Sequence, residues 1–343
     1  MRIASIKHAV PSRRITNESI IRMVRDHNRA RLSGDQLNRL EKDLEAGLVS
    51  AGTETRHQLD HGEKAIDFAV RTAQSALEEA AIAPSEVEFL IYAGVGRGWV
   101  EPATGAAVQA ALGLTNATAF DIMDGCASWL RALHVAATYI RAGAYRRGLI
   151  VNCECGLEGY AALDFDAVEQ LNHRFAMFTI GEAATATVVT DKPGGNPYFA
   201  FHTFGEHLEL CTIPLPTAPL FSLGAGDPRC APGKFFARSR ELFTTTIRKI
   251  VETFESDPRL RQGRYDICFG HNASEKACDV VARKLGLTHI FFSTHRGYGN
   301  TVAAAVPLGM SLALDEGKLR RGDKVLIIVG SAGITVGFAT FTF

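Results

Sequence analysis

AFDIMDGCASWLRALHVAATYIRAGAYRRGLIVN (residues 119–152) and HIFFSTHRGYGNTVAAAVPLGMSLALDEGKLRRGDKVLIIV (residues 289–329) follow one plan. When Arg146-Arg147-Gly148 is set against Arg320-Arg321-Gly322, Cys126 falls opposite Asn300, each 22 residues ahead of its glycine. Upstream, VQAALGLT ends at Thr115 and VARKLGLT at Thr288, just before the strands that lead to those two residues. Each copy reads as strand, apolar helix, strand, an alternation that predicts an α/β protein with parallel sheets covered by helices. A duplicated unit with a thiol at one helix start and an amide at the other predicts a single active site built across a pseudo-dyad.

Working outward, the chain divides best at Asp191-Lys192-Pro193-Gly194-Gly195-Asn196, where all but the lysine are turn formers. The halves are then residues 1–190 and 191–343. In the first, a strand spans Met1 to Val10, helices cover Gly62 to Ala80 and Glu101 to Leu112, and a buried strand runs from Phe89 to Val95. Pro102 suits the first turn of the second of these helices. Residues 17–50 are charged and helical in period, with Ile20, Ile21, Val24, Leu32, Leu37, Leu40 and Leu44 as an apolar stripe, which predicts a helical hairpin inserted on the surface. In the second half a helix over Ser239 to Glu255 precedes a strand ending at His271, and another helix begins near Ser274. Further helices are expected from Cys126 to Ala142 and from Asn300 to Glu316.

Bulk properties narrow the function. Of 343 residues 46% are apolar and 22% charged, an ordinary globular balance, and a net charge of zero argues against nucleic acid as a main partner. The N-terminal MRIASIKHAVPSRR has no apolar core of the kind a secretory signal needs. The longest apolar run, Val302 to Leu314, is too short to span a bilayer and contains Pro307. Seven cysteines, an odd number without framework spacing, point to a reducing cytoplasm.

Three residues carry chemistry. Cys126 stands where a strand ends and a buried helix begins, and the free N–H groups there are expected to stabilise a thiolate. His271 closes a buried strand and so projects at the carboxyl edge of a sheet, where α/β proteins build their sites. Asn300 follows the flexible Gly297-Tyr298-Gly299 at a helix start, where a plain N-cap is its simplest role. Thiol, imidazole and amide at equivalent joints suit acyl transfer: the sulfur attacks a thioester, and the other two donate hydrogen bonds to developing oxyanions. Other candidates are weaker. Cys153 and Cys155 share one face of a strand but no second pair completes a zinc site, so no metal is expected. His57, His61, His202 and His207 read as surface residues, and no dinucleotide fingerprint is present.

With DGCAS around Cys126, GHNAS around His271, GYGNT around Asn300 and the glycine-rich GSAGITVG near the C-terminus, nearly the whole chain resembles a thiolase-superfamily condensing enzyme of the β-ketoacyl-acyl carrier protein synthase III type. The resemblance implies a thiolase-like α/β fold, two duplicated βαβαβ-type halves in an α/β/α/β/α arrangement. It implies Cys126 as acylated nucleophile, His271 and Asn300 completing the triad, and a second oxyanion hole from the backbone N–H groups of Cys126 and of the loop near Ala332. Where primary-metabolism enzymes carry HQAN this chain has HNAS, and their coenzyme A-binding tryptophan and RTGI are replaced by Ala51-Gly52-Thr53-Glu54-Thr55-Arg56. The 17–50 insertion and GRGWVEPAT are closer to the head-to-head branch, the olefin-pathway thiolase and the α-pyrone-forming ketosynthases. In several of those a glutamate in an EP-small-T motif enters the partner subunit's site as the base, and Glu101 matches it. A carboxylate beside a helix first turn is the simpler alternative.

The implied protein is a cytoplasmic homodimer that needs no cofactor and takes acyl-CoA or acyl carrier protein thioesters. Claisen condensation would yield a β-keto thioester or an α-pyrone. Two alternatives stand beside it: an acyltransferase that passes the acyl group to oxygen or nitrogen, and a non-catalytic subunit lending Glu101 to an active homologue.

Overall fold

The computed structural model describes residues 1–221 and 227–343. Among these, the first half forms a five-stranded sheet from β1 (Arg2–Ala9), β2 (Phe89–Ala93), β3 (Thr118–Ile122), β4 (Arg147–Glu154) and β5 (Ala183–Thr190), in the order β1-β5-β4-β2-β3. A second sheet is formed by β6 (Tyr198–Thr203), β7 (Ile267–Gly270), β8 (Phe291–Phe292), β9 (Lys324–Ser331) and β10 (Thr335–Thr342), in the order β6-β10-β9-β7-β8. Every strand thus occupies the place of its counterpart five numbers earlier. The pairing repeats as well: β2 runs parallel to β3 and β4 while β5 is antiparallel to both β4 and β1, and β7, β8, β9, β10 and β6 do the same.

The insertion supplies α1 (Asn17–Asn28) and α2 (Gly34–Ala51). The remaining long helices also pair off: α3 (Ala65–Ala80), α4 (Thr104–Ala111) and α5 (Ser128–Arg141) with α6 (Ser239–Ser256), α7 (Glu275–Lys284) and α8 (Ala305–Asp315). Helices α5 and α8 lie between the sheets, where Trp129, Leu133 and Ala136 meet Val306 and Met310 in one cluster with Ile91, Ile150, Phe269 and Ile327. That position explains why α8 is apolar nearly all round, whereas α5 buries one face and leaves Thr138 and Arg141 exposed. Phe68, Ala73 and Leu77 of α3 pack with Val108 of α4 on the far face of the first sheet, and Ile250, Phe254 and Val281 of α6 and α7 do so on the second. The layers are α/β/α/β/α. Glycine at 148 belongs to this packing: a Cβ there would lie 2.0 Å from the ring of Phe89.

The hairpin stands where its stripe indicates. Ile20, Val24, Leu32, Leu37, Leu40 and Leu44 are buried, and Leu48 joins them, all packed on Phe165, Val168 and Phe178. Ser33 and Gln36 form a capping box at the start of α2, and Gly52 ends it in the left-handed conformation.

Four helix starts differ from expectation, the first being α3, which begins at Ala65 and not at Gly62. Helix α4 begins at Thr104, leaving Glu101 and Pro102 in the preceding turn, because the carboxylate of Asp121 in β3 accepts from the N–H groups of Thr104 and Gly105 at 2.8 Å each. Helix α5 begins at Ser128, two residues after Cys126. Helix α8 begins at Ala305, so Asn300 is not its N-cap. In the last two cases the intervening residues are needed to turn the chain out of the sheet and into the site.

Candidate active site

The turn carrying Cys126 is held from both halves of the molecule. Gly125 has φ +52°, and a Cβ there would stand 2.6 Å from the Ser331 hydroxyl, so conformation and space both demand glycine. That hydroxyl, at the end of β9, donates to the Asp124 carbonyl at 2.8 Å. The Ser128 hydroxyl donates to the Gly125 carbonyl (2.6 Å) and accepts from the Asp124 N–H (2.8 Å), while Arg131 pairs with the Asp124 carboxylate at 2.9 Å. Cys126 is thereby presented to a cavity beneath the sheet edge.

The thiol does not behave as the helix terminus alone suggests. Burial pushes its pKa well above the ordinary cysteine value, with neighbouring Cys211 and Glu154 adding to the rise, and the backbone N–H of Cys126 offsets only part of it. The expectation of a resting thiolate is corrected: desolvation of the anion outweighs the partial charge of a helix that starts two residues later.

His271 directly follows β7, and its backbone N–H continues the ladder to the Ile328 carbonyl at 3.0 Å. Burial lowers the imidazole pKa to about 4, so the ring is neutral at physiological pH, and its Nδ1 is buried with no partner among the described residues. Asn300 is pinned by its backbone, donating to the Thr179 carbonyl (2.8 Å) and accepting from Gly181 N–H (3.0 Å). Its side-chain Oδ1 accepts from the Val302 N–H at 3.0 Å, which turns the amide so that Nδ2 is the end left to donate to a ligand.

Behind His271 lies a buried polar network whose centre is Asn272, the second residue of GHNAS. Its Nδ2 donates to the Gly270 carbonyl and the Thr294 hydroxyl at 3.2 Å, and its Oδ1 accepts from the Ser293 hydroxyl at 3.2 Å. The Asn272 carbonyl accepts from Nδ1 of fully buried His295 at 2.8 Å, so His295 Nε2 accepts from the Thr53 hydroxyl at 2.6 Å. Burial also lowers the His295 pKa to about 4 and keeps this ring neutral. The sequence marks Asn272 only as the second residue of HNAS, with no role assigned, and marks His295 by nothing beyond its adjacency to GYGNT.

Cys126, His271, Asn300 and Ala332 line one cavity of about 140 Å³, which continues between apolar side chains of α6 and α7, among them Leu242, Ile250 and Val281. Cys211 and Cys278 also reach it, a pair that no spacing had singled out. Glu101 does not line this cavity; it is exposed, beside exposed Trp99 and Val100. Cys153 and Cys155 are free thiols in the outer apolar cluster of the first half. His61 and His202 are exposed, whereas His57 and His207 are partly buried. His57 is drawn in because its Nδ1 bonds the Pro11 carbonyl at 2.8 Å and its ring stacks on Tyr298.

Comparison with known proteins agrees with this arrangement. Residues 120–205 match the family model of 3-oxoacyl-[acyl-carrier-protein] synthase III, and residues 257–343 match the model of its C-terminal part. The chain is 31% identical over 296 residues to β-ketoacyl-[acyl-carrier-protein] synthase III of Thiobacillus denitrificans, covering 85% of this chain and 88% of that one. It is 28% identical over 323 residues to the Rhizorhabdus wittichii enzyme of the same name, covering 92% and 96%. Its fold matches 3-oxoacyl-[acyl-carrier-protein] synthase III from Aquifex aeolicus (TM-score 0.81, 23% identity, 100% and 99% covered). It equally matches OleA from Xanthomonas campestris with bound cerulenin (TM-score 0.82, 21% identity, 99% and 96% covered). Shared sequence over most of its length, a repeated five-strand topology, and a cysteine, a histidine and an asparagine on one cavity have a common explanation: this chain belongs to the β-ketoacyl-acyl carrier protein synthase III family of thiolase-fold condensing enzymes.

Proposed function

We propose that the protein acylates itself on Cys126 and joins that acyl group to a second acyl thioester by Claisen condensation. What carries the reading is the convergence of Cys126, His271 and Asn300 on one cavity with an apolar extension. In the first half-reaction the Cys126 sulfur attacks an acyl thioester of coenzyme A or acyl carrier protein, and as the bond to the carrier sulfur breaks the Cys126 proton ends on that sulfur, which departs as the free thiol. The backbone N–H groups of Cys126 and Ala332 receive the transient oxyanion. A protonated resting thiol beside a neutral imidazole means that proton removal accompanies attack rather than preceding it.

In the second half-reaction a base takes the α-proton of another thioester, the carbanion attacks the Cys126 acyl carbon, and the thiol is regenerated as the β-keto thioester is released; cyclisation would give an α-pyrone. Neutral His271 and the Nδ2 of Asn300 donate to the enolate oxygen. The base is assigned to Glu101 of a second subunit, since the residue is exposed and lies away from its own chain's cavity. The homodimer that this requires fits the surface: β3 is the free edge of its sheet, and Trp99, Val100 and Met123 are exposed around it.

The deciding experiment incubates the protein with pairs of acyl thioesters and follows both intact mass and small-molecule product. Acylation mapping to Cys126 followed by a carbon–carbon linked product is the expected result. An ester or amide product would replace condensation with transfer to oxygen or nitrogen.

A further inference from the structure

A buried carboxyl group with no part in the steps above joins two pieces of the site. Glu154 ends β4 with 0% exposure and accepts three backbone N–H groups: Gly96 at 2.7 Å on Oε2, and Val95 at 3.0 Å and Ala303 at 3.3 Å on Oε1. The donors belong to separate segments. Val95 and Gly96 open the loop that runs from β2 to Glu101. Ala303 lies three residues beyond Asn300, just after Val302, which is held at φ +51° while its N–H bonds the Asn300 side chain. The fit is close. A Cβ on Gly94 would lie 2.6 Å from Oε1 of Glu154, and one on Gly96 would lie 2.4 Å from the Cys153 carbonyl, so the loop can wrap the carboxyl only because both residues are glycine.

We propose that ionised Glu154 is a positioning residue that ties the Glu101 loop and the Asn300 turn to one point, and that its protonation loosens the Glu101 loop. This rests on the condensation reading for its catalytic consequence. The chemistry follows from the donor set: a carboxylate offers lone pairs to all three N–H groups, whereas a neutral carboxyl group turns one oxygen into an O–H donor facing other donors, and the loop, with Val95 on Oε1 and Gly96 on Oε2, loses an acceptor whichever oxygen is protonated. Burial raises the Glu154 pKa to about 7, against the lowering effect of the three N–H groups and of Arg97 on the loop. The other titratable groups facing it are Tyr92 from β2, Cys126 ahead of α5 and Cys155 on its own strand. The switch therefore falls near neutrality, tight above and loose below.

Hydrogen exchange on the intact wild-type protein tests the clamp without any assay of condensation. The peptide covering residues 94–103 should exchange faster at pH 6 than at pH 8 after correction for intrinsic rates. In Glu154→Gln this peptide should be fast at either pH, because the amide offers only one acceptor oxygen and its NH2 group then faces a loop N–H. That variant should still acylate Cys126 within a few-fold of wild type, while condensation falls about 10²-fold, the cost of a small misplacement, and loses its pH dependence around 7. Exchange of residues 94–103 that is insensitive to pH and to Glu154→Gln overturns the proposal; so does a Glu154→Gln condensation profile identical to wild type. Should the variant fail to fold, the wild-type pH series decides alone. Loosening of residues 94–103 in a protein that makes no carbon–carbon product would leave the clamp standing and remove the condensation reading instead.

Discussion

At the scale of single residues, burial decides protonation, and protonation decides what each group can do. Cys126 is kept as a thiol and His271 as a neutral ring by the same loss of solvent, which makes one a nucleophile that must shed its proton in the transition state and the other a donor. His271→Ala and Asn300→Ala should therefore keep measurable acylation of Cys126 while condensation falls by about 10² to 10³, the usual cost of one oxyanion donor. Quantified acyl-enzyme and product from the same reactions check this; full product turnover in either variant removes that residue from the mechanism. A second expectation concerns pH and stability. With a folded pKa of about 4 against an unfolded value near 6.5, His271 binds no proton in the native state where the unfolded chain does. Its contribution is complete above the unfolded pKa and is lost as pH falls toward 4. Urea midpoints at pH 7 and pH 5 should show wild type losing more stability on acidification than His271→Ala.

At the scale of elements, the inserted hairpin is a small core of its own. Leu40, Leu44 and Leu48 of α2 are fully buried against α1 and the segment before β5, the same segment whose Thr179 carbonyl holds Asn300. Leu40→Ala should cost about 2–5 kcal/mol, the range for deleting a buried leucine side chain, read as a lower urea midpoint. A loss below about 0.5 kcal/mol, the range of surface substitutions, would show that the hairpin does not unfold with the rest. Helix α4 illustrates the opposite dependence, because its N-terminus is completed by Asp121 from a neighbouring strand and not by its own sequence.

At the scale of the whole molecule, the open edge of β3 and the exposed Trp99, Val100 and Met123 beside Glu101 make a second copy of the chain part of the proposed site. Glu101→Gln removes the base but keeps size and hydrogen bonding, so condensation should fall about 10²- to 10⁴-fold with Cys126 acylation intact. Co-expression of Glu101→Gln with Cys126→Ala subunits is the sharper measurement. Random pairing of two inactive subunits should restore about a quarter of wild-type activity, since half the dimers are mixed and each mixed dimer holds one complete site. No recovery in demonstrably mixed dimers would place the Glu101 role, if any, within its own chain.

Much of this protein was legible in the chain itself. Apolar periodicity, the two RRG-terminated repeats and the 22-residue spacing depend on local order along one strand–helix–strand unit, and they revealed the duplication, the hairpin stripe and the motifs of Cys126, His271 and Asn300. Helix starts were less legible, because Asp121 and the turns at residues 124–127 and 300–304 act across elements or against local propensity. The protonation of Cys126, the hub at Asn272 and His295, and the clamp of Glu154 came only from the tertiary structure. Each depends on desolvation and on partners between about 20 and 240 residues away, and burial is a property of the packed molecule that no spacing along the chain encodes.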